Sequence, residues 1–586
     1  MRQWMVAAKK ADFYAIAEKF HVDPVVARII RNREVIGEKN IRIYLGGNLS
    51  DLSDPHQMKD MDRLVEILAQ KIRKQVHIRI IGDYDVDGVT SSHLFLTALR
   101  RVGAKVDVVI PHRIQDGYGL SLHLLQQAKE DGVDTILTCD NGIAAIDEIA
   151  WAKAQKMTVL VTDHHAVPFE EHEGRRTEKK SLADAVVNPH QRDCGYPYKE
   201  LCGAGVAWNV IRVLYENYDM DKREAEDLLD FVAMATVCDV MSLTGENRIL
   251  VKEGLKRIRH TKNIGLQALM QACNVQPENI SAYHFGYVLG PCVNATGRLD
   301  TARHALRLFE TGQETEAEEI ARDLVDLNQE RKELTLQGVE MAKKLCEEGG
   351  YENDPVLVLF LPDVHESIAG LIAGRIREMY NRPVFVLTRG EEGVKGSGRS
   401  TENYSMYENM CGCAELFTKF GGHPMAAGLS LPEENVEKFR RKINENCPLT
   451  VEEVCPDIHI DMAMPVGYAS TELVHQFALL EPFGKDNPSP LFADRNLSIS
   501  RMWVIGKNRN VLRMSVLSEY GQPVPVIFFG DVETLFAYFT EKFGQEEVEN
   551  ALHGRKNRIL FSMVYTAKID FYQGNENLQL EMKYYR

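Results

Sequence analysis

No apolar run in this chain approaches the roughly 18–20 residues that a membrane-crossing helix needs, so the sequence predicts no membrane span. The opening stretch Met-Arg-Gln-Trp-Met-Val-Ala-Ala-Lys-Lys lacks the apolar core of a secretory signal before its charges resume. Cysteine is thinly scattered: eleven thiols in 586 residues, with Cys411 and Cys413 the one close pair, make no CxxC ladder. That pattern argues against a zinc or disulfide framework and for reduced thiols in a cytoplasmic protein. Positive charge is also in deficit, the net charge being −16. A nucleic-acid partner is not thereby excluded, because binding depends on where the cations lie rather than on their sum. Proline is missing from 314–348 and glycine occurs there once.

The composition that remains, 44% apolar and 26% charged, is that of a soluble globular protein. The length is too great for one core and predicts roughly three or four domains. Residues 1 to 58 read as amphipathic helices closing on a turn-rich stretch. From 59 onward helical patterns alternate with short β-branched runs at 76–81, 105–110, 135–138, 158–161 and 185–188. That alternation predicts βαβ units and a mainly parallel sheet. The charged segment 169–180 reads as an exposed loop insertion. In 314–348, Ile320, Leu324, Leu327, Leu334, Met341 and Leu345 form a stripe among charges, which predicts a long connecting helix. A second α/β module begins near 354, and beyond Cys455 short alternating strands predict a small barrel or sandwich.

Three acidic signatures follow apolar runs: Gly-Asp-Tyr-Asp-Val-Asp-Gly (82–88), Thr-Cys-Asp-Asn-Gly (138–142) and Val-Thr-Asp-His-His (161–165). Ligands of open α/β sheets collect at the carboxyl ends of strands. Asp83, Asp85, Asp87, Asp140, Asp163, His164 and His165 should therefore share one crevice. So many carboxylates cannot stay ionised together without cations. Carboxylate and imidazole donors suit two Mn²⁺ or Mg²⁺ ions, and the expected chemistry is metal-dependent phosphoryl transfer. Taken singly, Asp-Asn-Gly reads as a turn and Asp87-Gly88 as a helix cap. Gly-Ser-Gly-Arg-Ser (396–400) and Gly421-Gly422-His423 could present backbone N–H groups, Ser397, Arg399 and His423 to phosphate. Arg113 and Arg298 are further anion candidates. The bland alternative is turns with solvated arginines.

GDYDVDGVTSS (82–92), PHRIQDGYGL (111–120), CDNG, TDHH, VVNPH (186–190), LCGAGVAW (201–208), TVCDVMSL (236–243), NATGR (294–298), GSGRS, GGHPMAAG (421–428) and LLEPFGKDNPSPLF (479–492) occur in one order. In this the chain resembles the RecJ-type single-stranded-DNA exonucleases of the DHH phosphoesterase superfamily. The resemblance implies a DHH catalytic domain (59–312), a connecting helix (313–349), a DHHA1 substrate-binding domain (350–450) and an OB-like β-barrel (456–586). It implies Asp85, Asp87, Asp140, His164 and Asp239 as metal ligands, with Asp140 bridging. Asp83 would bind directly or through water, His165 would meet the phosphate, and Asp163 would support the histidines. The implied activity is 5′→3′ hydrolysis of single-stranded DNA to mononucleotides with Mn²⁺ or Mg²⁺, in repair and recombination. The protein would act as a monomer, alongside a helicase and a single-strand-binding protein. Tyr572 and Tyr585 are candidate stacking residues in the barrel. Alternatives are a phosphodiesterase for short oligonucleotides or cyclic dinucleotides, against which residues 456–586 argue, and a non-catalytic scaffold, against which the retained acidic residues argue.

Overall fold

The computed structural model describes the chain except residues 1, 2, 114, 115, 117, 118, 173, 174, 391, 392, 507–509 and 573, and except the side chains of 171, 172, 175, 176 and 572. The chain forms two compact units, one of residues 48–456 and one combining 3–47 with 457–586. No helix among the described residues is long and apolar enough to cross a membrane.

The first unit opens on a five-stranded, wholly parallel sheet of β1 (Ile78–Ile81), β2 (Val106–Val109), β3 (Thr135–Cys139), β4 (Thr158–Thr162) and β5 (Ala185–Val187). The spatial order is β2-β1-β3-β4-β5. The order therefore reverses between β1 and β3, and such a switch point opens a crevice beyond the strand ends. β1, β3 and most of β4 are buried on both faces, which explains their continuous rather than alternating apolar runs. Helices α1 (Val86–Arg101), α2 (Gly203–Asn217), α3 (Leu229–Cys238) and α4 (Gly290–Leu299) share one large core with this sheet. The charged stretch read as a loop is instead an antiparallel hairpin, Phe169–His172 with Arg175–Glu178. The strands Phe-Glu-Glu-His and Arg-Arg-Thr-Glu carry no apolar alternation, so periodicity gives no signal for them.

Helix α5 (Glu314–Glu348) runs 35 residues without a break. Its first half buries Ala317, Ile320, Ala321 and Leu324 in the core of the first sheet, and its second half buries Val339, Ala342 and Cys346 in another core. Met341, expected in the apolar stripe, is largely exposed; Gly338 and Ala342 make the close contacts there. The second core belongs to a mixed sheet of β6 (Leu357–Phe360), β7 (Val384–Gly390), β8 (Gly393–Arg399), β9 (Lys419–His423) and β10 (Ala426–Leu431), in the order β9-β10-β8-β7-β6.

In the other unit, β11 (Phe492–Ile505), β12 (Val511–Leu517), β13 (Pro523–Phe529), β14 (Leu560–Tyr572) and β15 (Asn575–Tyr585) close into a ring. Their order is β11-β12-β13-β15-β14, with β14 pairing back to β11. Bulges at Asp494/Leu497, Ile499/Arg501 and Val564/Tyr565 supply the bending that closure needs. The strands are longer than the short ones expected beyond Cys455, and the last two form the β14–β15 hairpin. Two helices, Val532–Phe543 and Gln545–Leu552, precede it. Tyr585, half-buried, packs against Phe528 and Tyr538 at the edge of the core; the Tyr572 side chain lies outside the described residues.

The N-terminal helices, expected as a separate segment, share this unit's core. Trp4–Val6 pairs in parallel with Ile458–Ile460. Arg33 clamps Asp461 bidentately at 2.6 and 3.0 Å, both side chains being under 10% exposed. Asp461 accepts further bonds from Asn32 Nδ2 and the Leu491 amide. Removing one partner of a buried pair strands the other charge. Arg33→Met should therefore lower this unit's stability by about 3 kcal/mol, read as a shifted denaturant midpoint and earlier proteolysis of residues 3–47.

Candidate metal centre

The loop after β1 enters α1 through Asp85, whose carboxylate caps the helix by accepting the Gly88 amide at 3.0 Å. Gly88 has no alternative, because a Cβ there would be driven into the Asp83 backbone. After β3 the chain turns at Asp140, which adopts the left-handed conformation with φ 61°. After β4 come Asp163, His164 and His165, and Asp239 follows the last turn of α3. Four separate elements thus deliver acidic or imidazole groups to one crevice.

Their donor atoms fall into three overlapping groups, each within 4.8 Å: Asp83, Asp85 and Asp140; Asp140, His164 and His165; and Asp87, His164 and Asp239. His164 Nε2 stands 3.1 Å from Asp140 Oδ1 and 3.6 Å from both Asp87 Oδ2 and Asp239 Oδ2. Asp140 and His164 each belong to two of the groups. Burial pushes the Asp140 and Asp83 carboxyls well above the usual range, and neighbouring carboxylates add to it. Asp85 is raised by burial and by Asp87. Burial pulls the His164 pKa down, leaving a neutral imidazole whose Nε2 has no hydrogen-bond partner. Asp83 Oδ1 is likewise buried without one. Inward-facing lone pairs on crowded oxygens, with a neutral imidazole among them, fit divalent cations of the hard, oxygen-preferring kind.

Asp87 has a distinct support. Its carboxylate accepts the Gly203 and Ala204 amides at 2.6 and 2.7 Å, two of the free N–H groups opening α2. Asp163 accepts the amides of Ile143, His164 and His165. It also bonds His165 Nδ1 at 2.8 Å. Burial works against the His165 charge, yet this bond to Asp163 pushes its pKa up to about 9.

Across from this cluster lies a cavity of about 820 Å³, lined on one side by Tyr84, Arg113 and His165 and on the other by Ser397, Gly421, Gly422 and His423. Arg113 stacks over the Tyr84 ring at 4.8 Å. Arg298 and Arg399 stand behind the wall instead of lining it. Arg298 donates to the Ser367 carbonyl at 2.6 Å, and Arg399 to the Gly398 carbonyl at 2.7 Å. Burial, then repulsion from Arg113, Arg331 and Arg399, pulls the Arg298 pKa down to about 10. Burial, Arg377 and Arg113 lower that of Arg399. Half-buried arginines that repel one another beside the cavity form a cluster that an anion relieves.

The structure thus gathers Asp83, Asp85, Asp87, Asp140, His164, His165 and Asp239 together, with Asp163 bonded to His165, and Arg113, Ser397, Gly421, Gly422 and His423 around the cavity. The sequence reading missed Tyr84, Lys395, Glu366 and Asn294, whose Oδ1 accepts the Val86 amide at 3.2 Å. It also gave no role to Gly203, although LCGAGVAW was in view. A Cβ on Gly203 would lie 2.6 Å from Asp140 Cβ and 2.9 Å from its Oδ1. Gly203→Ala should displace Asp140 and weaken divalent-ion affinity about 10- to 100-fold, measured by titrating the ion, with circular dichroism unchanged.

Comparison with known proteins agrees with this architecture. Residues 77–236 match the DHH family, N-terminal domain; residues 353–447 match the DHHA1 domain; residues 460–584 match the RecJ OB domain. The chain is 32% identical over 582 residues to the single-stranded-DNA-specific exonuclease RecJ of Haemophilus influenzae, covering 96% of each. It is 33% identical over 512 residues to that of Bacillus subtilis, with 87% of this chain but only 63% of the relative covered. A crystal structure of RecJ from Thermus thermophilus in complex with Mn²⁺ superposes with a TM-score of 0.79 at 25% identity, covering 100% of this chain and 79% of that one.

Proposed function

Because the chain belongs to the family of RecJ single-stranded-DNA-specific exonucleases, we propose that it hydrolyses single-stranded DNA from the 5′ end to 5′-mononucleotides, with Mn²⁺ or Mg²⁺. The observation that carries this reading is the pairing of two chemistries across one cavity. A carboxylate–imidazole cluster stands at the sheet's switch point, and cationic and glycine-rich groups form the facing wall.

Asp83, Asp85, Asp87, Asp140, His164 and Asp239 would hold two ions. Bound there, the ions supply Lewis acidity toward the phosphate and lower the pKa of water. The protein's own groups do the rest. Asp87 is fixed by two helix amides, so its oxygens are aimed before any ion arrives. His165, held through Nδ1 by Asp163, offers the other edge of its ring to a phosphate oxygen. Ser397, His423 and the Gly421–Gly422 backbone meet the phosphate from the other side, where the missing Cβ atoms permit close approach. Arg113, Arg298 and Arg399 would neutralise the terminal 5′ phosphate, which sets polarity.

A cavity lined by two domains of one unit admits one backbone with unstacked bases. A five-stranded ring of the OB kind is a recurrent platform for single strands. The same reading gives a cytoplasmic monomer in DNA repair and recombination, working with a helicase and a single-strand-binding protein. The test incubates the protein and Mn²⁺ with oligonucleotides labelled at either end, single- or double-stranded. Mononucleotides released from the 5′ end of single strands alone are the expected result; internal cuts or duplex degradation overturn it.

A further inference from the structure

Residues 282–299 form a helical rod in three pieces: Ala282–His284, a π-helical turn Phe285–Leu289, and α4. Such turns are rare and frequent at functional sites. The α4 end of the rod belongs to the site already described, through Asn294 on the Val86 amide and through Arg298 in the arginine cluster. The other end carries Tyr283 and Tyr287, 62% and 72% exposed, with their rings stacked at 5.1 Å between centroids and 25° between planes.

This end is seated on the helix that delivers Asp239. The Cys238 thiol donates to the Phe285 carbonyl at 3.3 Å, and a Cβ on Gly286 would touch Val237 Cγ1 at 3.4 Å. Val240, immediately after Asp239, is itself 62% exposed. At about 1.5 Å of rise per residue, Tyr287 lies about 10 Å along the rod from Asn294 and about 16 Å from Arg298. Single exposed apolar residues need no explanation. Two stacked rings, one just before a π turn and one on it, beside the helix that ends at Asp239, are a different matter. Every nucleobase has a π face and stacks on aromatic rings without regard to sequence.

Resting on the nuclease reading above, we propose that Tyr283 and Tyr287 form a stacking platform at the rim of the active site. It would hold an unpaired base of the single strand a few nucleotides from the bond being cut. The ligand class is the unstacked base of a polynucleotide, of any sequence. A dinucleotide spanning the cut bond ends short of the rings, so the platform acts on longer strands only.

The test compares the double variant Tyr283→Ala/Tyr287→Ala with wild type on 5′-phosphorylated strands of about 20 nucleotides and on a dinucleotide, where base stacking is expected to shift KM on the long strand about 10- to 100-fold. The kcat on the long strand stays within about twofold, the loss is confined to strands long enough to reach the rings, and Tyr283→Phe/Tyr287→Phe restores affinity, because the ring and not the hydroxyl stacks. Equal losses on both substrates would mark a structural role and overturn the proposal. Unchanged KM on the long strand would overturn it too, and is the outcome if this surface docks a protein instead. Anisotropy of a fluorescent oligonucleotide, read in chelator, separates the two readings. Wild type that binds the strand more tightly than the alanine variant in chelator, yet does not cut it once Mn²⁺ is supplied, would sink the nuclease reading and leave the platform standing.

Discussion

Replacing Asp140 with Asn should abolish hydrolysis, lowering kcat/KM about 10⁴-fold, or roughly 5.5 kcal/mol of transition-state stabilisation. The substitution is suited to the question because it keeps shape and conformation. Asp140 sits at φ 61°, a region that Asn enters as readily as Asp. The change removes one charge, and in the metal-free protein that charge is a burden. Burial first, then Asp87 and Asp85, hold the Asp140 carboxyl well above its ordinary range. A carboxyl with a raised folded-state pKa binds more protons folded than unfolded. Its contribution to stability therefore falls as pH rises from the unfolded value, near 4, through the folded one. Wild type without metal should lose stability relative to Asp140→Asn as pH rises toward neutrality. Melting both proteins in chelator at acid and neutral pH measures the difference. Adding Mn²⁺ should then stabilise wild type alone. A variant that is sounder without metal and dead with it separates loss of the ligand from loss of the fold; retained turnover would remove Asp140 from the chemistry.

Legibility of the sequence followed the physics of each element. The parallel strands were readable because burial on both faces forces unbroken β-branched runs, as in β1 and β3. The metal cluster was readable because strand ends and acidic motifs coincide, so Asp83, Asp85, Asp87, Asp140 and His164 could be grouped without coordinates. Asp239 ends a helix, not a strand, and only the family resemblance pointed to it. Helix α5 was readable from its want of proline, but Met341 was misplaced because the contact there is made by small residues. What periodicity cannot carry is which distant segments share a core. Nothing in residues 3–47 announces that Arg33 meets Asp461, or that Trp4–Val6 adds a strand beside Ile458–Ile460. Backbone donors are equally silent. The Gly203 and Ala204 amides that fix Asp87 have no side chain to read.

The second large effect is expected in the arginine cluster beside the cavity. Arg399→Ala should lower kcat/KM about 10³-fold on a 5′-phosphorylated single strand, the scale of removing one well-placed donor to a charged oxygen together with its charge. On a strand ending in a 5′ hydroxyl the same variant should lose less than about tenfold, because the terminal phosphate is then absent from both proteins. The reason lies in the guanidinium's surroundings. Burial, Arg377 and Arg113 all disfavour its charge in the free protein. Arg298, pulled down by its own burial, feels Arg399 as well. A dianionic terminal phosphate relieves this repulsion at once, whereas an internal phosphodiester brings less charge and a second bulky substituent. Arg399→Lys keeps the charge but loses the planar fork, and should recover only part of the preference. Parallel assays on the two kinds of strand end give the ratio directly. If Arg399→Ala leaves the preference for phosphorylated ends intact, the terminal phosphate is held elsewhere, and Arg113, stacked on Tyr84 in the cavity wall, becomes the residue to replace.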